Sequence, residues 1–260
     1  MLDLASTLAG HAATFALAAC RLAGFVAVSP WPGPDAPVKQ RVGLVVVLAW
    51  VVAGATPNVA TRLDLALVGS ASVELLCGAL MAGVLRFALV AADLVGAAFS
   101  HATGLGVPSV LNPHLESHDT VGGRIASLMG MLLLVTVGAH RVALAYLIES
   151  FHAVPVATPM SVAAGAAVLV DQLAGAMLLG VRLAAPLAAM ALVIQISLAI
   201  VARSAPSLQL FNAGLTVMLA SGMLVLLGTL GDVGGGLAES FASTSTRLDA
   251  VLAALGARAP

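Results

Sequence analysis

The run LALVGSASVELLCGALMAGVLRFALVAADLVGAAF, residues 65–99, decides the fold class. It is apolar throughout except for Glu74, Arg86 and Asp93, and it contains no proline. A helix needs about 20 apolar residues to cross the hydrocarbon core of a bilayer, so this run is too long for one straight span. It lacks the alternation of a barrel strand, and only helices and closed barrels span lipid. We therefore predict a very long or broken membrane helix.

The composition of the whole chain agrees with this reading. Of the 260 residues, 60% are hydrophobic and 9% are charged, whereas soluble domains usually carry about 25% charged residues. A soluble globule of this size could not hide so much apolar surface from water. The predicted fold class is therefore an all-α, polytopic, membrane-associated protein with six to seven long helices arranged as kinked hairpins.

Further apolar runs flank the first one on both sides. The fifth and sixth runs lie close together, so they form either one kinked helix or two, and Pro186 suits the first turn of a helix. The tail from Gly231 is rich in Gly, Ser and Thr, with a short amphipathic piece around Leu248–Leu255. The other apolar runs are residues 4–29, 42–56, 125–151, 161–181, 186–202 and 213–230.

The most polar part of the chain is residues 100–124, between two strongly apolar runs. Glycine and proline at this density predict irregular backbone. At membrane depth, irregular backbone is tolerated only inside protein or along a cavity. The glycines and prolines concerned are Gly104, Gly106, Pro108, Pro113, Gly122 and Gly123.

Charged residues inside the apolar runs need partners. A charge at the bilayer centre costs about 2.5–3.5 kcal/mol on insertion scales. Arg86 and Asp93 share a helix face but stand about 10 Å apart, so each needs a partner elsewhere, on this chain or on another. An ion path would cluster its carboxylates, so we favour buried pairs that fix the register of an assembly. The five charges are Arg21, Glu74, Arg86, Asp93 and Asp171.

Several function classes are excluded or disfavoured by the sequence. The net charge of −1 argues against a nucleic-acid binder. Cys20 and Cys77 lie in apolar runs and imply no disulfide framework. The segment from His114 to Asp119 only loosely resembles a metal site, because its glutamate is displaced from the HExxH position. No catalytic motif occurs, so we predict no enzyme activity, no metal and no cofactor.

A set of ordered motifs extends along nearly the whole chain. Its residues are Arg21, Pro30, Pro37, Arg41, Glu74, Gly78, Gly83, Gly96, Gly104-Leu105-Gly106, Pro113, Gly138-Ala139-His140, Leu147, Glu149-Ser150-Phe151, Val154-Pro155, Ala185-Pro186, Leu198 to Ala202, Arg203, Ala205-Pro206, Gln209-Leu210-Phe211 and Gly214. In order and spacing these motifs resemble the FliR/SctT family of type III export-gate subunits, and FliR, the flagellar branch, most closely. The sequence departs from the family near Gln195, Thr216 and Met218, where the family often has acidic, proline and lysine residues.

The resemblance implies a subunit that assembles with FliP and FliQ into a helical export gate in the bacterial inner membrane, at the flagellar basal body. FlhB and FlhA would surround the gate, unfolded substrates would pass through it, and lipid would be its other contact. The alternatives are an injectisome subunit, SctT, and, as the second alternative, a secondary transporter or channel.

The resemblance also implies a FliP-like part, residues 1–185, and a FliQ-like hairpin with its tail, residues 186–260. A turn beginning at Arg203 and Pro206 would join the two helices of that hairpin. The predicted site residues, from the apolar runs and from the resemblance together, fall into three groups. They are a plug loop near 104–123 (Gly104, Gly106, Pro108, Asn112, Pro113, Gly122, Gly123), charges for burial or assembly (Arg21, Arg41, Glu74, Arg86, Asp93, Asp171, Arg203) and structural turns (Pro30, Pro37, Pro155, Pro186, Pro206).

Overall fold

The fold was analysed in a computed structural model that describes residues 2–31, 36–57, 65–105, 121–204 and 210–256. These ranges hold eight helices and no strand, which confirms the all-α class. Five stretches within them are long and apolar enough to cross a membrane, and a bent pair of shorter helices can supply a sixth. The helices are α1 (Leu2–Val28), α2 (Val38–Ala55), α3 (Leu65–Thr103), α4 (Val121–Val137), α5 (Ala139–Ala153), α6 (Val162–Ser204), α7 (Leu210–Ala242) and α8 (Thr244–Gly256).

The long central run forms one unbroken helix. Helix α3 has 39 residues, and a helix of that length extends about 58 Å. The hydrocarbon core of a bilayer is only about 30 Å thick. The first of the two sequence-based alternatives, a single very long helix, is therefore the correct one.

The fifth and sixth apolar runs also form one helix. Helix α6 has 43 residues, and Pro186 lies inside it rather than at its start. Proline has no N–H, so the carbonyl of Arg182 loses its usual helical partner. Ending the helix would leave several backbone groups without partners, which costs more in an apolar environment than one missing bond. Of the two alternatives, one helix is the correct one, and Pro186 does not begin a helix.

The last apolar run, predicted to end at residue 230, continues as a helix into the tail that is rich in Gly, Ser and Thr. Helix α7 continues through Gly231, Gly234 and Gly235 to Ala242. Each interior glycine costs about 1 kcal/mol relative to alanine, which is less than the cost of unsatisfied backbone groups in an apolar setting. The short amphipathic piece is confirmed as α8, which buries Leu248, Val251, Leu252 and Leu255.

Both described ends of the segment 100–124, which was predicted to be irregular, are helical. Helix α3 ends at Thr103, Gly104 has the left-handed φ of +74°, and α4 already begins at Val121. Gly122 and Gly123 thus lie in the first turn of a helix, which corrects their assignment to irregular backbone. A Cβ added at Gly122 would lie 2.7 Å from the Phe99 ring, so close packing of α3 on α4 explains this glycine. Gly106, Pro108, Asn112 and Pro113 lie outside the described residues.

The fourth apolar run, predicted as one helix over residues 125–151, is two helices. Gly138 has a φ of +81°, a conformation that glycine adopts without steric cost, and it separates α4 from α5. The chain bends by 64° between the two helices.

The helices divide into two compact units. Unit 1 comprises residues 1–87, 138–172 and 242–260, and unit 2 comprises residues 88–137 and 173–241.

In unit 2, α6 and α7 pack antiparallel. A Cβ at Gly236 would meet Leu183, and one at Gly214 would meet Leu198. Helix α6 ends at Ser204 and α7 begins at Leu210, while Pro206 and the turn lie outside the described residues. The family-based division at residues 185 and 186 stays a prediction.

Candidate functional site: the buried charge centre of unit 1

Two opposite charges meet in the interior of unit 1. Arg21 on α1 and Glu74 on α3 are both fully buried, and Arg21 Nε donates to Glu74 Oε2 over 2.6 Å. Both residues lie within apolar runs that the sequence places in the membrane. A lone charge there would be costly, so each side chain supplies the counter-charge that the other requires.

The remaining donors of Arg21 cap the end of α5. Arg21 Nη1 donates to the carbonyl oxygen of Ser150 over 2.9 Å and to its hydroxyl over 3.2 Å. Arg21 Nη2 donates to the carbonyl oxygen of Val154 over 3.0 Å. The carbonyl oxygen of Ser150 already accepts the N–H of Val154 over 2.9 Å, so Arg21 is its second donor, and the partial negative charge at the helix C-terminus favours a guanidinium there. Arg21 thereby joins α1 to the C-terminus of α5.

The second oxygen of Glu74 binds the connector between α5 and α6. Glu74 Oε1 accepts a hydrogen bond from the backbone N–H of Ala157 over 3.0 Å. Ala157 has a φ of +63°, a left-handed conformation that is unfavourable for alanine. Next to it, Thr158 donates to the carbonyl oxygen of Pro155 through both its N–H and its hydroxyl, which closes a turn. The carboxylate therefore holds α3 against a tightly shaped connector.

An aromatic ring covers the charge centre. The guanidinium carbon of Arg21 lies 4.4 Å from the ring centroid of Phe151, a cation–π arrangement. Phe151 is itself buried and precedes the turn that begins at Pro155. The ring lies against the face of the guanidinium, whereas the hydrogen bonds of Arg21 lie in the guanidinium plane, so the ring stabilises the positive charge without replacing a hydrogen bond.

Two glycines allow the helices that carry the pair to approach closely. A Cβ on Gly24 of α1 would collide with the carbonyl oxygen of Leu75, and one on Gly78 of α3 would collide with that of Arg21. Both obstacles are backbone atoms, which cannot move aside as a flexible side chain can. The backbones of α1 and α3 therefore touch where the ion pair forms, as is typical of helix pairs packed through small residues.

This arrangement is suited to fastening elements together rather than to chemistry. Every nitrogen of the Arg21 guanidinium has an acceptor, and both oxygens of Glu74 are bonded. A fully bonded buried pair is strongly destabilised when one partner is removed. Within the described residues, no three His, Cys, Asp or Glu side chains gather where they could hold a metal ion.

The other predicted charges occupy different surroundings. Arg86, Asp171 and Arg203 are exposed on the surface of this chain, while Asp93 and Arg41 are half-buried. Their predicted burial would therefore have to come from other chains, and their roles in assembly stay predictions. Of the seven charged residues proposed from the sequence, the structure brings Arg21 and Glu74 together.

The predicted turn prolines are placed individually. Pro30 is buried just after α1, Pro37 precedes the first residue of α2, and Pro155 opens the turn that follows α5. Pro186 lies within α6, and Pro206 falls outside the described residues.

Sequence reasoning missed the partners of the ion pair. It did not connect Arg21 with Glu74, nor did it assign Phe151 and Ala157 to the same centre. One signal was present, because each charge is followed by a glycine about one helical turn later, at Gly24 and Gly78. A charge and a glycine on one helix face favour a close helix–helix contact at which the charge is buried.

Comparisons with known proteins complete the picture. A family model described as bacterial export proteins, family 1, matches residues 12–244. The chain is 28% identical to the flagellar biosynthetic protein FliR of Caulobacter vibrioides over 217 residues, 81% of this chain and 86% of the relative. It is 24% identical to FliR of Escherichia coli over 73% of each chain. It is 29% identical to FliR of Aquifex aeolicus over 59% of each chain.

These matches confirm the resemblance inferred from the ordered motifs. The family model begins nine residues before Arg21 and extends beyond the end of α7, so it includes the whole ion-pair centre and the α6–α7 hairpin. Because the match covers most of the 260 residues, the chain belongs to family 1 of the bacterial export proteins.

Proposed function

We propose that the chain is a core subunit of the flagellar type III protein export gate. In this role it forms, with FliP and FliQ, the channel through which unfolded flagellar substrates leave the cell. FlhB and FlhA are its other partners, and the gate lies in the bacterial inner membrane at the flagellar basal body. The observation that carries the proposal is the family match over residues 12–244 together with three FliR relatives.

The lengths of the helices support a role in an assembly. Helix α3 extends about 58 Å and α6 about 65 Å, roughly twice the hydrocarbon thickness of a bilayer. Of the 18-residue stretch by which α6 qualifies as a membrane span, only 17% is buried within the chain. Apolar helix surface that extends beyond the lipid requires cover by other protein, as subunits of a gate provide.

The antiparallel α6–α7 pair supports the proposed FliQ-like hairpin. Its helices run in opposite directions on either side of residues 205–209, as the contacts of Gly214 and Gly236 require. The proposed plug follows Gly104, the left-handed residue that ends α3, and comprises the segment up to α4. Gly122 and Gly123 would act in the plug as the helical base on which it rests.

Two other functions are weaker. An injectisome subunit would share the same fold, but the three relatives named above are flagellar proteins. A secondary transporter would concentrate ionisable groups near the bilayer midplane. The buried pair Arg21–Glu74 is instead fully bonded within the chain. We propose no enzyme activity.

Deleting the gene in the bacterium that encodes it tests the proposal. We expect loss of swimming and of flagellar substrate secretion, with both restored by the wild-type gene. Tagged wild-type protein should also be recovered from detergent with FliP and FliQ. A deletion strain that still secretes flagellar substrates, or tagged protein recovered without either partner, would contradict the proposal.

Shortening the connector tests the plug. A deletion confined to residues 106–120 spares α3 and α4. We expect the gate to assemble and the cells to become permeable to small ions. The matched control shortens the connector between α1 and α2 over residues 32–35, which should cause no leak. An assembled gate with no added permeability would rule out the plug assignment.

A further inference from the structure

Helix α8 joins three neighbouring parts of unit 1. It packs along α5. The carbonyl oxygen of Leu255 accepts the N–H of Ser161 over 3.2 Å, at the end of the connector between α5 and α6, residues 154–161. Gln172 Nε2, near the start of α6, donates to the carbonyl oxygen of Arg247 over 3.1 Å. One short helix therefore contacts α5, the connector and the base of α6.

The docking of α8 is stabilised by the burial of its apolar face. Leu248, Val251 and Leu255 are fully buried in unit 1. Leu255 also fills space beside Gly165, where an added Cβ would lie 2.9 Å from Leu255 Cδ2. An isolated helix of 13 residues is marginal in water, so α8 depends on this contact to remain helical. The other face of α8 is exposed and comprises Thr246, Asp249, Ala250 and Ala253.

Two features of the docked state oppose this burial. The side-chain oxygen Gln172 Oε1 is buried and has no hydrogen-bond partner among the described residues. Water would satisfy that oxygen if α8 moved away, so its burial disfavours the docked state. Ala157 in the connector keeps a left-handed φ of +63°, and such a strained residue persists only while its surroundings hold it.

The connector is fastened by two different elements. The charge centre holds its first half, through the carbonyl of Val154 and the N–H of Ala157. Helix α8 holds its end through the N–H of Ser161, and a Cβ added at Gly256 would lie 3.9 Å from Val154 Cγ2. Hydrogen bonds to charged groups are about twice as strong as neutral ones. The fastening by α8 is therefore the weaker of the two and opens first.

We propose that α8 is a releasable latch on the connector between α5 and α6. While α8 is docked, it holds the end of the connector and the base of α6, residues 162–172. When α8 is released, Gln172 Oε1 becomes hydrated and the N–H of Ser161 loses its acceptor. Release is a local opening that leaves the charge centre intact. The inference does not rest on the proposed function, because the full chain alone suffices to test it.

Hydrogen exchange of the full chain in detergent tests the latch without any substitution. We expect the amides of α8 and of Ser161 to exchange at one common rate. That rate should be at least about tenfold faster than the exchange of α1 and α3 around Arg21 and Glu74. Exchange of α8 as slow as that of the charge centre, or exchange of Ser161 at a rate unrelated to that of α8, would overturn the inference.

A substitution on the buried face of α8 should open the latch. Leu255→Asp places a carboxylate in an apolar contact, which favours release. We expect at least about tenfold faster exchange at Ser161 and over residues 165–172, with unchanged exchange around the charge centre. Ala253→Asp, at an exposed position of α8, is the matched control and should change neither. Faster exchange confined to α8 itself would show that α8 latches nothing.

A disulfide that closes the latch should have the opposite effect. Val154→Cys with Gly256→Cys suits this purpose, because Val154 Cγ2, near which a new sulfur would lie, is 3.9 Å from a Cβ at residue 256. The background carries Cys20→Ala and Cys77→Ala. Oxidation should slow exchange at Ser161 at least about tenfold, and dithiothreitol should reverse this. Gly256→Cys alone is the control. Complete disulfide formation without slower exchange would overturn the inference.

Discussion

The charge centre of unit 1 and the α6–α7 hairpin of unit 2 use similar residues in opposite ways. In the centre, Arg21 is fully bonded and Gly78 touches the backbone of another helix. In the hairpin, Arg182 is exposed and Gly228 meets nothing within 4 Å. The difference shows that unit 1 pairs its buried charge within its own interior, whereas the hairpin leaves its arginine and its glycine on the surface of the chain.

The largest expected effect comes from removing one member of the buried pair. Arg21→Leu leaves Glu74 buried without its counter-charge and removes the cap of α5, at a cost of about 3–5 kcal/mol. We expect a sharp fall in the protein recovered from membranes and in its thermal unfolding temperature in detergent. Arg86→Leu, at an exposed arginine of α3, should leave the isolated chain nearly unchanged.

The double variant Arg21→Leu with Glu74→Leu sharpens this test. Since neither charge remains, the double variant should be more stable than Arg21→Leu alone, although the cap on α5 is still lost. If the single variant unfolded at the wild-type temperature, the centre would not be what holds unit 1 together.

A smaller loss is expected from crowding the helix contact. Gly78→Ala places a methyl group against the backbone of Arg21, and overpacking of this kind costs about 1–3 kcal/mol. Gly69→Ala is the control on the same helix, because its Cβ would meet nothing within 4 Å. Unfolding in detergent should separate the two variants, and equal stability would contradict a close contact between α1 and α3.

In the hairpin the same substitution should have the opposite sign. Gly228→Ala removes an interior helix glycine without creating a clash, so the isolated chain should gain about 0.5–1 kcal/mol. If partners approach this face closely, recovery of the assembled complex should fall at the same time. A loss of stability in the isolated chain would show that Gly228 already has a neighbour.

The smallest effect is expected at the connector. Ala157→Gly relieves the left-handed conformation at φ +63°, offset in part by greater freedom of the unfolded chain, for a net gain of about 0.5 kcal/mol. Ala145→Gly, at an exposed helical position of α5, should instead lose about 1 kcal/mol. Thermal unfolding of the two variants should shift in opposite directions, and a parallel shift would contradict the turn geometry.

The sequence predicted features that depend on local pattern. Apolar runs identified α3 and the fold class, because run length and lack of alternation suffice for both. It misplaced features where the free-energy cost of unpaired backbone groups outweighs the low helix propensity of a residue. Pro186 and Gly231 are weak helix residues, yet both lie within helices because broken backbone costs more in an apolar setting.

The ion-pair centre illustrates the same limit for the site. Arg21 and Glu74 could each be identified as charges in need of partners, but the pairing depends on contacts 53 residues apart in the chain. The partners on α5 lie 129 and 133 residues away, and their contribution is mostly backbone carbonyls, which no residue type reveals. The residue pattern within one apolar run gives no information about which distant run it contacts.

The residues of the charge centre leave the ribosome at different times. At about 5–20 residues per second, Glu74 follows Arg21 from the ribosome after roughly 3–10 seconds, and Ser150 follows after roughly 6–25 seconds. Throughout that interval α1 carries a positive charge without its final acceptors. Until α3 and then α5 arrive, nothing in the chain offsets the cost of about 2.5–3.5 kcal/mol for that charge in hydrocarbon, so the final surroundings of α1 are completed late rather than first.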